Sequence, residues 1–513
     1  MNAKKWRVAS FLCILVCINA WSAEKDQATN VDPTTLKLIK LLVEQGVLTQ
    51  DKANALLREA GKPDAATSDV PKTEPGIVRV PYVPETIKNE MREQIKQEVL
   101  AQAKQERWGA PGALPEWIER IKWDGDIRLR YQRDQFPDGN LGATPNYQAI
   151  NSAGGIAQAG TNVFINDSVD RTRWRLRARL GMLAKVNDEL ETGLRLTTGN
   201  TVDPVSTNQT LGNNFNRNSF VLDRAYLRFD PNERFTLWGG RLPNPWFGTD
   251  LVWDEDLNFD GVAATFKPKL SDNISGFATL GWFPVQEVEL SASDKSLSGA
   301  QVGMDWKISA HHGLKIGLAY YDYRHVSGRQ ADSALLDYTA PQFVQKGNSM
   351  FHIRTDTVFS NGLFGLAPNF KEIDLTAVWD IAAFDPVHVV FTGDYVKNVG
   401  FDRAEIQQRT GLDIEPKTRG YQMKFAVGSP LIKKRGDWQF ISAYKYLERD
   451  AVLDAFTDSD FHLGGTDAKG WILGGGYGLA NNTWLSLRWL SANEIDGPPL
   501  AIDVLQLDLN ARF

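Results

Sequence analysis

Cysteine is nearly missing from this chain: its two cysteines, Cys13 and Cys17, both lie close to the amino terminus. Past that point no disulfide framework and no thiolate metal motif can form. Long apolar runs are missing too. Beyond the first stretch no segment approaches the roughly 18–20 residues that a spanning helix needs, and the mean hydropathy of −0.33 excludes a helical membrane protein. Basic excess is absent, with a net charge of −6, so no nucleic-acid partner is expected. The six histidines are scattered, with His311 and His312 on a turn and His325, His352, His388 and His462 apart from any serine or aspartate at a telling spacing. No nucleophile and base, defined carboxylate pair or phosphate loop can be picked out, so no catalytic residue, cofactor or resident metal is assigned.

What the chain does have is aromatic residues, glycine and a period of two. Its 513 residues include 16 Trp, 13 Tyr, 25 Phe and 43 Gly. The ending, Ala501 to Phe513, is the plainest case. Leu505, Leu507, Leu509, Ala511 and Phe513 share one face, while Gln506, Asp508, Asn510 and Arg512 share the other. Side chains alternate across a strand, so this one is dry on one side and wet on the other. It also stops on an aromatic carboxyl terminus, which resembles the closing strand of bacterial outer-membrane barrels. In those barrels the assembly machinery reads the terminal Phe, the role this resemblance implies for Phe513.

Residues 1–23 read as a secretory signal, with Lys4, Lys5 and Arg7 ahead of a short apolar core and small residues before the cut. Residues 24–122 are charged and helical. A helical hairpin is expected over 24–61, a Pro/Asp/Thr-rich linker over 62–84, and a helical segment over 85–122. Ile87, Met91, Ile95 and Val99 form a narrow stripe in that segment, suited to a short coiled coil.

From Trp123 onward the alternation recurs. Ile127, Leu129 and Tyr131 oppose Asp126, Arg128 and Arg130, and clear repeats follow at 171–184, 189–199, 297–307, 313–323, 371–380 and 420–428. Weaker ones, polar or apolar on both faces, fall near 219–229, 235–242, 260–267, 273–283, 387–397, 437–447, 469–478 and 483–491. Together they predict an all-β transmembrane barrel over 123–513, with about sixteen antiparallel strands, each about 9–11 residues long. The connections alternate long and short, as periplasmic turns and external loops do. A soluble sandwich has no reason to sort its loops in that way. A closed barrel also gives a cysteine-free chain its stability.

Four phrases carry a further resemblance. Gly240-Arg-Leu-Pro-Asn-Pro-Trp246, Leu251-Val-Trp-Asp-Glu-Asp-Leu-Asn258 leading to Gly261, Asp394-Tyr-Val-Lys-Asn398, and Asp454-Ala-Phe-Thr-Asp-Ser-Asp-Phe461 are similar to the putative porin family of Gram-negative outer membranes. The resemblance covers about 120–513, and the helical prefix is similar to that family's amino-terminal region. It implies a general-porin-like barrel that passes small hydrophilic solutes and ions through the bacterial outer membrane. It also implies a periplasmic amino-terminal region, contact with lipid and the barrel-assembly machinery, and a homotrimer.

Charge marks where selectivity would sit. Arg171, Arg173, Arg175, Arg177 and Arg179 alternate with Trp174, Leu176, Ala178 and Leu180. An arginine facing lipid costs about 2–4 kcal/mol at the midplane, so these five, with Arg128 and Arg130, are expected to line the pore. Asp126 and Glu191 are candidate partners on neighbouring strands. The opposing charge is expected on the third long loop, 243–259, from Asp250, Asp254, Glu255, Asp256 and, at its end, Asp260. In general porins that loop folds inward as the constriction, and an acidic loop across from an arginine wall would set up a transverse field. The alternatives are arginines tied up in ion pairs, and acids that are merely solvated or bind calcium, for which Asp454, Asp458 and Asp460 also offer oxygens. A second function class stays open: a structural anchor whose helical prefix tethers the barrel to peptidoglycan or a periplasmic partner.

Overall fold

The computed structural model describes Gln97 and residues 120–289, 291–355 and 362–513. The signal, hairpin, linker and coiled-coil stripe expected before residue 120 lie outside the described residues, Gln97 apart.

Alternation of wet and dry side chains resolves into sixteen long strands among the described residues. They are β1 (Ile121–Gln135), β2 (Arg171–Lys185), β3 (Leu190–Thr198), β4 (Phe220–Asn232), β5 (Phe235–Pro243), β6 (Asn258–Phe266), β7 (Ile274–Gln286) and β8 (Lys295–Ser309). β9 (His312–Arg324), β10 (Lys371–Phe384), β11 (Val387–Asn398), β12 (Arg419–Gly428), β13 (Trp438–Leu447), β14 (Ala468–Ala480), β15 (Thr483–Glu494) and β16 (Ala501–Arg512) complete the ring. The first strand begins at Ile121 rather than Trp123. Each strand pairs antiparallel with its neighbours in sequence, and β16 closes on β1 in the register Asp126↔Arg512 to Gln135↔Asp503. Gly125 and Phe513 exchange two backbone hydrogen bonds of 3.0 Å at the seam, with the Phe513 ring where a Gly125 side chain would stand. Closure satisfies the backbone edges that an open sheet would leave exposed to lipid.

The outer face is apolar. Ile127, Leu129, Leu487, Leu507 and Leu509 are exposed along it. Aromatic pairs sit toward both rims. Tyr131 with Trp174, Tyr421 with Tyr446 and Tyr444 with Trp471 lie toward the long-loop end, and Trp379, Phe391 and Phe425 toward the other. Such girdles place amphipathic rings at the two membrane interfaces.

The loops at one end are L1 (136–170), L2 (199–219), L3 (244–257), L4 (287–294), L5 (325–370), L6 (399–418), L7 (448–467) and L8 (495–500). Short turns such as 310–311 and 481–482 join the strands at the other end. L3 and L7 turn inward. Leu251, Val252 and Trp253 of L3 and Ala451, Val452 and Leu453 of L7 are buried in one core with Phe259, Phe283, Leu297, Tyr321 and Tyr323 from the inner faces of β6–β9. That contact explains why the alternation is weak over 260–267 and 273–283: one face meets lipid and the other a loop. Gly240 and Gly261 form a cross-strand pair where L3 leaves and rejoins the wall. Both have positive φ, +112° and +144°, and a side chain on either would meet a backbone oxygen at 2.4 or 2.3 Å.

Candidate permeation site inside the barrel

β1 and β2 present their charged faces to the interior in direct register, with Asp126 opposite Arg179, Arg128 opposite Arg177 and Arg130 opposite Arg175. Arg179 pairs straight across with Asp126, and the other ion pairs between the two strands run diagonally. Arg177 and Arg179 donate to Asp126 at 2.9 and 2.7 Å, and Arg173 donates to Asp134 at 2.7 Å. Arg130, 1% exposed, is clamped between Asp508 of β16 (2.7 Å) and Asp460 of L7 (3.0 Å). Arg171 is exposed at the mouth of the strand. Glu191, a candidate partner for this wall, instead lies 3.8 Å from Arg228. Arg195 of β3 pairs with Asp223 of β4.

Three interior guanidiniums have no carboxylate partner among the described residues. Arg128 donates to Asn208 (2.8 Å), Arg175 to Gln132 (3.1 Å) and Ser206 (3.3 Å), and Arg224 to Asn258 (2.7 Å). An amide or hydroxyl oxygen satisfies the N–H groups without cancelling the charge.

The acids of the third loop are dispersed. Asp256 reaches the basic wall, 3.3 Å from Arg179 and 3.7 Å from Arg177, and takes a 2.8 Å bond from Thr207. Burial opposes its ionisation, but the two guanidiniums override this and hold it below the usual carboxylate range. Asp254 meets no cation among the described residues. It accepts from Asp256 N and Ser459 N, at 2.7 and 2.9 Å. Burial, then the charges of Asp256 and Asp458, push its carboxyl well above the ordinary value. Asp250 points to Lys445 of β13 at 3.3 Å, and Glu255 is exposed. Asp260, expected at the end of the loop, is on strand β6, where it pairs with Arg241 at 2.9 Å. The cross-strand register, with Arg241 opposite Asp260, binds it to the wall rather than the loop.

The larger acidic feature is one the sequence reading did not single out. Glu372, Asp374 and Thr376 share the inner face of β10, beside Asp394 of β11, and all four are buried. β10 stands half-way round the ring of sixteen from β2. Thr249 of L3 donates to Asp394, and Glu372 accepts from Leu453 N at 3.1 Å. L3 is therefore a strap, with Asp256 on the basic wall and Thr249 on the acidic one. The signal was present: Glu372, Asp374 and Thr376 alternate with Ile373 and Leu375, the pattern that turned the arginines inward.

Asp454, Asp458 and Asp460, read as possible calcium ligands, turn to other partners. Asp458 meets Lys445 at 3.0 Å, and Asp460 meets Arg130 and Arg488 at 3.0 and 3.3 Å. No three carboxylates or imidazoles converge as a metal site among the described residues.

The four distinctive sequence phrases meet in this lumen. Asp254 N bonds Phe456 O at 2.8 Å, Thr457 Oγ1 bonds Leu251 O at 2.9 Å, and Trp246 packs edge-on to Tyr321 with centroids 5.3 Å apart. Asn398 donates to Asp450 O at 3.0 Å, tying β11 to L7.

A model of the putative porin family matches residues 32–513. Among curated proteins none matches the chain. Similar solved structures include Pseudomonas putida OprB at high pH, 12% identical, with 79% of this chain and 97% of that one covered and a TM-score of 0.44. Salmonella typhi OmpF in complex with daunomycin is 11% identical, covering 77% and 97%, with a TM-score of 0.40. The outer membrane channel DcaP of Acinetobacter baumannii is 9% identical, covering 77% and 97%, with a TM-score of 0.41. With a family match that spans the whole closed ring, the chain belongs to the putative porin family, which places it in the bacterial outer membrane and points to a channel rather than an enzyme.

Proposed function

We propose that the chain is a passive diffusion porin for small hydrophilic solutes and ions, narrowed where L3 meets the arginine wall. The observation that carries this reading is the strap itself, with Asp256 against Arg177 and Arg179 at one end and Thr249 on Asp394 at the other. Beside it the arginines of the basic wall face the acids of the strap, and their transverse field orients dipoles and sorts ions. Arg171, Arg173, Arg175, Arg177 and Arg179, with Arg128 and Arg130, form the basic side; Asp250, Asp254, Glu255 and Asp256 belong to the strap. At a surface-like dielectric, unit charges about 4 Å apart interact by about 4 kcal/mol, ample to bias which ion passes.

Reversal potential across a planar bilayer tests the reading. Replacing Arg173, Arg175 and Arg177 with alanine is expected to shift it toward cations, and Asp256→Asn toward anions. Unchanged potentials in low salt for both variants would remove both groups from the permeation path. The apolar core that L3 and L7 build in the lumen also favours the second reading, a structural anchor tethered through the amino-terminal region. An anchor of that kind shows no conductance at all.

The amino-terminal region lies in the periplasm on this reading, its stripe at Ile87, Met91, Ile95 and Val99 supporting a trimer, and native mass in mild detergent tests that assembly. The backbone exchange of Phe513 with Gly125 supports Phe513 as the assembly signal, to be read from the loss of folded barrel when it is deleted.

A further inference from the structure

Two cavities at the long-loop end share a partition. The larger, 510 Å³, lies between L2, L3 and L5 against the inner faces of β4–β8, and Trp253, Phe259, Phe283, Phe343 and Phe456 supply its aromatic wall. The smaller, 330 Å³, is lined on one side by Arg171, Arg173 and Arg175, and on the other by Gln345, Lys346 and Ser459. Asp203, Ser206 and Phe343 border both.

The charge around the smaller cavity is unbalanced. Asp134 engages Arg173, but Arg175 has only Gln132 and Ser206, and Arg171 is exposed without an ion pair among the described residues. Lys346 turns its ammonium to the carbonyls of His462 and Gly464, which leave its charge in place. Asp203, the other acid on the lining, accepts from Val205 N at 3.0 Å and meets no cation in an ion pair among the described residues. One chamber thus offers guanidinium N–H groups in excess of carboxylates, and the adjoining one offers aromatic faces.

We propose that the paired cavities bind an organic anion, with Arg171 and Arg175 holding its carboxylate in the smaller chamber and the aromatic wall of the larger one receiving its apolar body. Guanidinium forks match carboxylate oxygens two at a time, and chambers of this size suit a small organic molecule. The inference rests on the channel reading, since it names the solute class such a channel would concentrate at its mouth. Arg175 lines only the smaller chamber, while the Phe343 ring borders the larger one, so head and body recognition can be separated by substitution.

Calorimetry on the full-length, detergent-folded protein tests the site with three probes: benzoate, its neutral isostere benzamide, and acetate, which has the charge without the ring. Benzoate is expected to bind about tenfold or more tightly than benzamide, the range of one charge-assisted hydrogen bond, and about tenfold or more tightly than acetate, the range of burying one aromatic ring. Arg175→Gln is expected to abolish the preference for benzoate over benzamide. Phe343→Ala is expected to abolish the preference over acetate. Heat-modifiable gel mobility reports folding, and Arg171→Gln, at an exposed position, replaces Arg175→Gln if that variant does not fold. Equal affinity for benzoate and benzamide, or unchanged preferences in both variants, overturns the site. Potassium chloride conductance is read separately. Conductance without benzoate preference sinks the site and leaves the channel, whereas benzoate preference without conductance keeps the site and sinks the channel.

Discussion

The arginine face of β1 and β2 and the carboxylates of β10 and β11 stand on opposite walls of one lumen, and they manage buried charge in different ways. On the basic wall most cations have an anion within reach: Arg130 has two, and Asp126 serves both Arg177 and Arg179. On the acidic wall Glu372, Asp374 and Asp394 have no cation partner among the described residues. Glu372 accepts instead from a backbone N–H of L7 and Asp394 from the hydroxyls of Thr249 and Thr376, and all three carboxyls are buried. An ion pair is strongly coupled, so removing one member strands the other. A carboxyl that only accepts hydrogen bonds loses little when it becomes an amide. The basic wall should therefore be brittle to substitution and the acidic wall tolerant.

The largest effect is expected at Arg130. Arg130→Leu leaves Asp508 and Asp460 facing a buried apolar side chain, a loss of about 3–5 kcal/mol. Denaturant unfolding of the folded barrel should show it, with Glu372→Gln as the control on the other wall, expected within about 1 kcal/mol of the parent. Equal losses in the two variants would erase the contrast between the walls.

A smaller effect comes with pH, in L7. Burial pushes the carboxyls of Asp454 and Asp450 up, to about 7 and about 6. An acid raised in the folded state contributes stability that is complete below its unfolded value and lost as pH rises through the folded one. L7 packing should thus weaken from the ordinary carboxylate range up through about pH 7. At Asp460 burial opposes ionisation, yet Arg130 and Arg488 hold the carboxyl well below the usual range, so its contribution is lost only in strong acid. Unfolding midpoints from pH 4 to 8 measure the difference. Asp454→Asn should flatten the curve, and an unaltered slope in that variant would assign the dependence to another group.

The smallest expected effect is at the far end of the strap. Thr249→Val removes the hydroxyl that binds Asp394, a loss of about 1 kcal/mol. Limited proteolysis within 244–257 should become several-fold faster in the folded protein. Unchanged nicking would mean that Phe247, bonded to Gln301 at 2.8 and 2.6 Å, anchors that end of the loop alone.

Strand number, chain direction and inward or outward facing were determined by the sequence itself, because a period of two is a local property. Arg173 and Leu176 cannot share a face in any strand, and lipid tolerates only one of the two faces. The long and short connections followed for the same reason, being gaps between local patterns. Partner choice was decided only by the tertiary structure. Arg130 meets Asp460 and Asp508, 330 and 378 residues away, and nothing at Arg130 itself encodes either separation. Dispersal of the L3 acids among Arg179, Lys445 and the L7 backbone depends on how a loop crosses the lumen, and the position of Asp260 depends on the β5–β6 register. Even the weak alternation of β6 and β7 waited on L3 and L7 for its reason, because a strand cannot signal whether its inner face meets water or a loop folded in from another part of the chain.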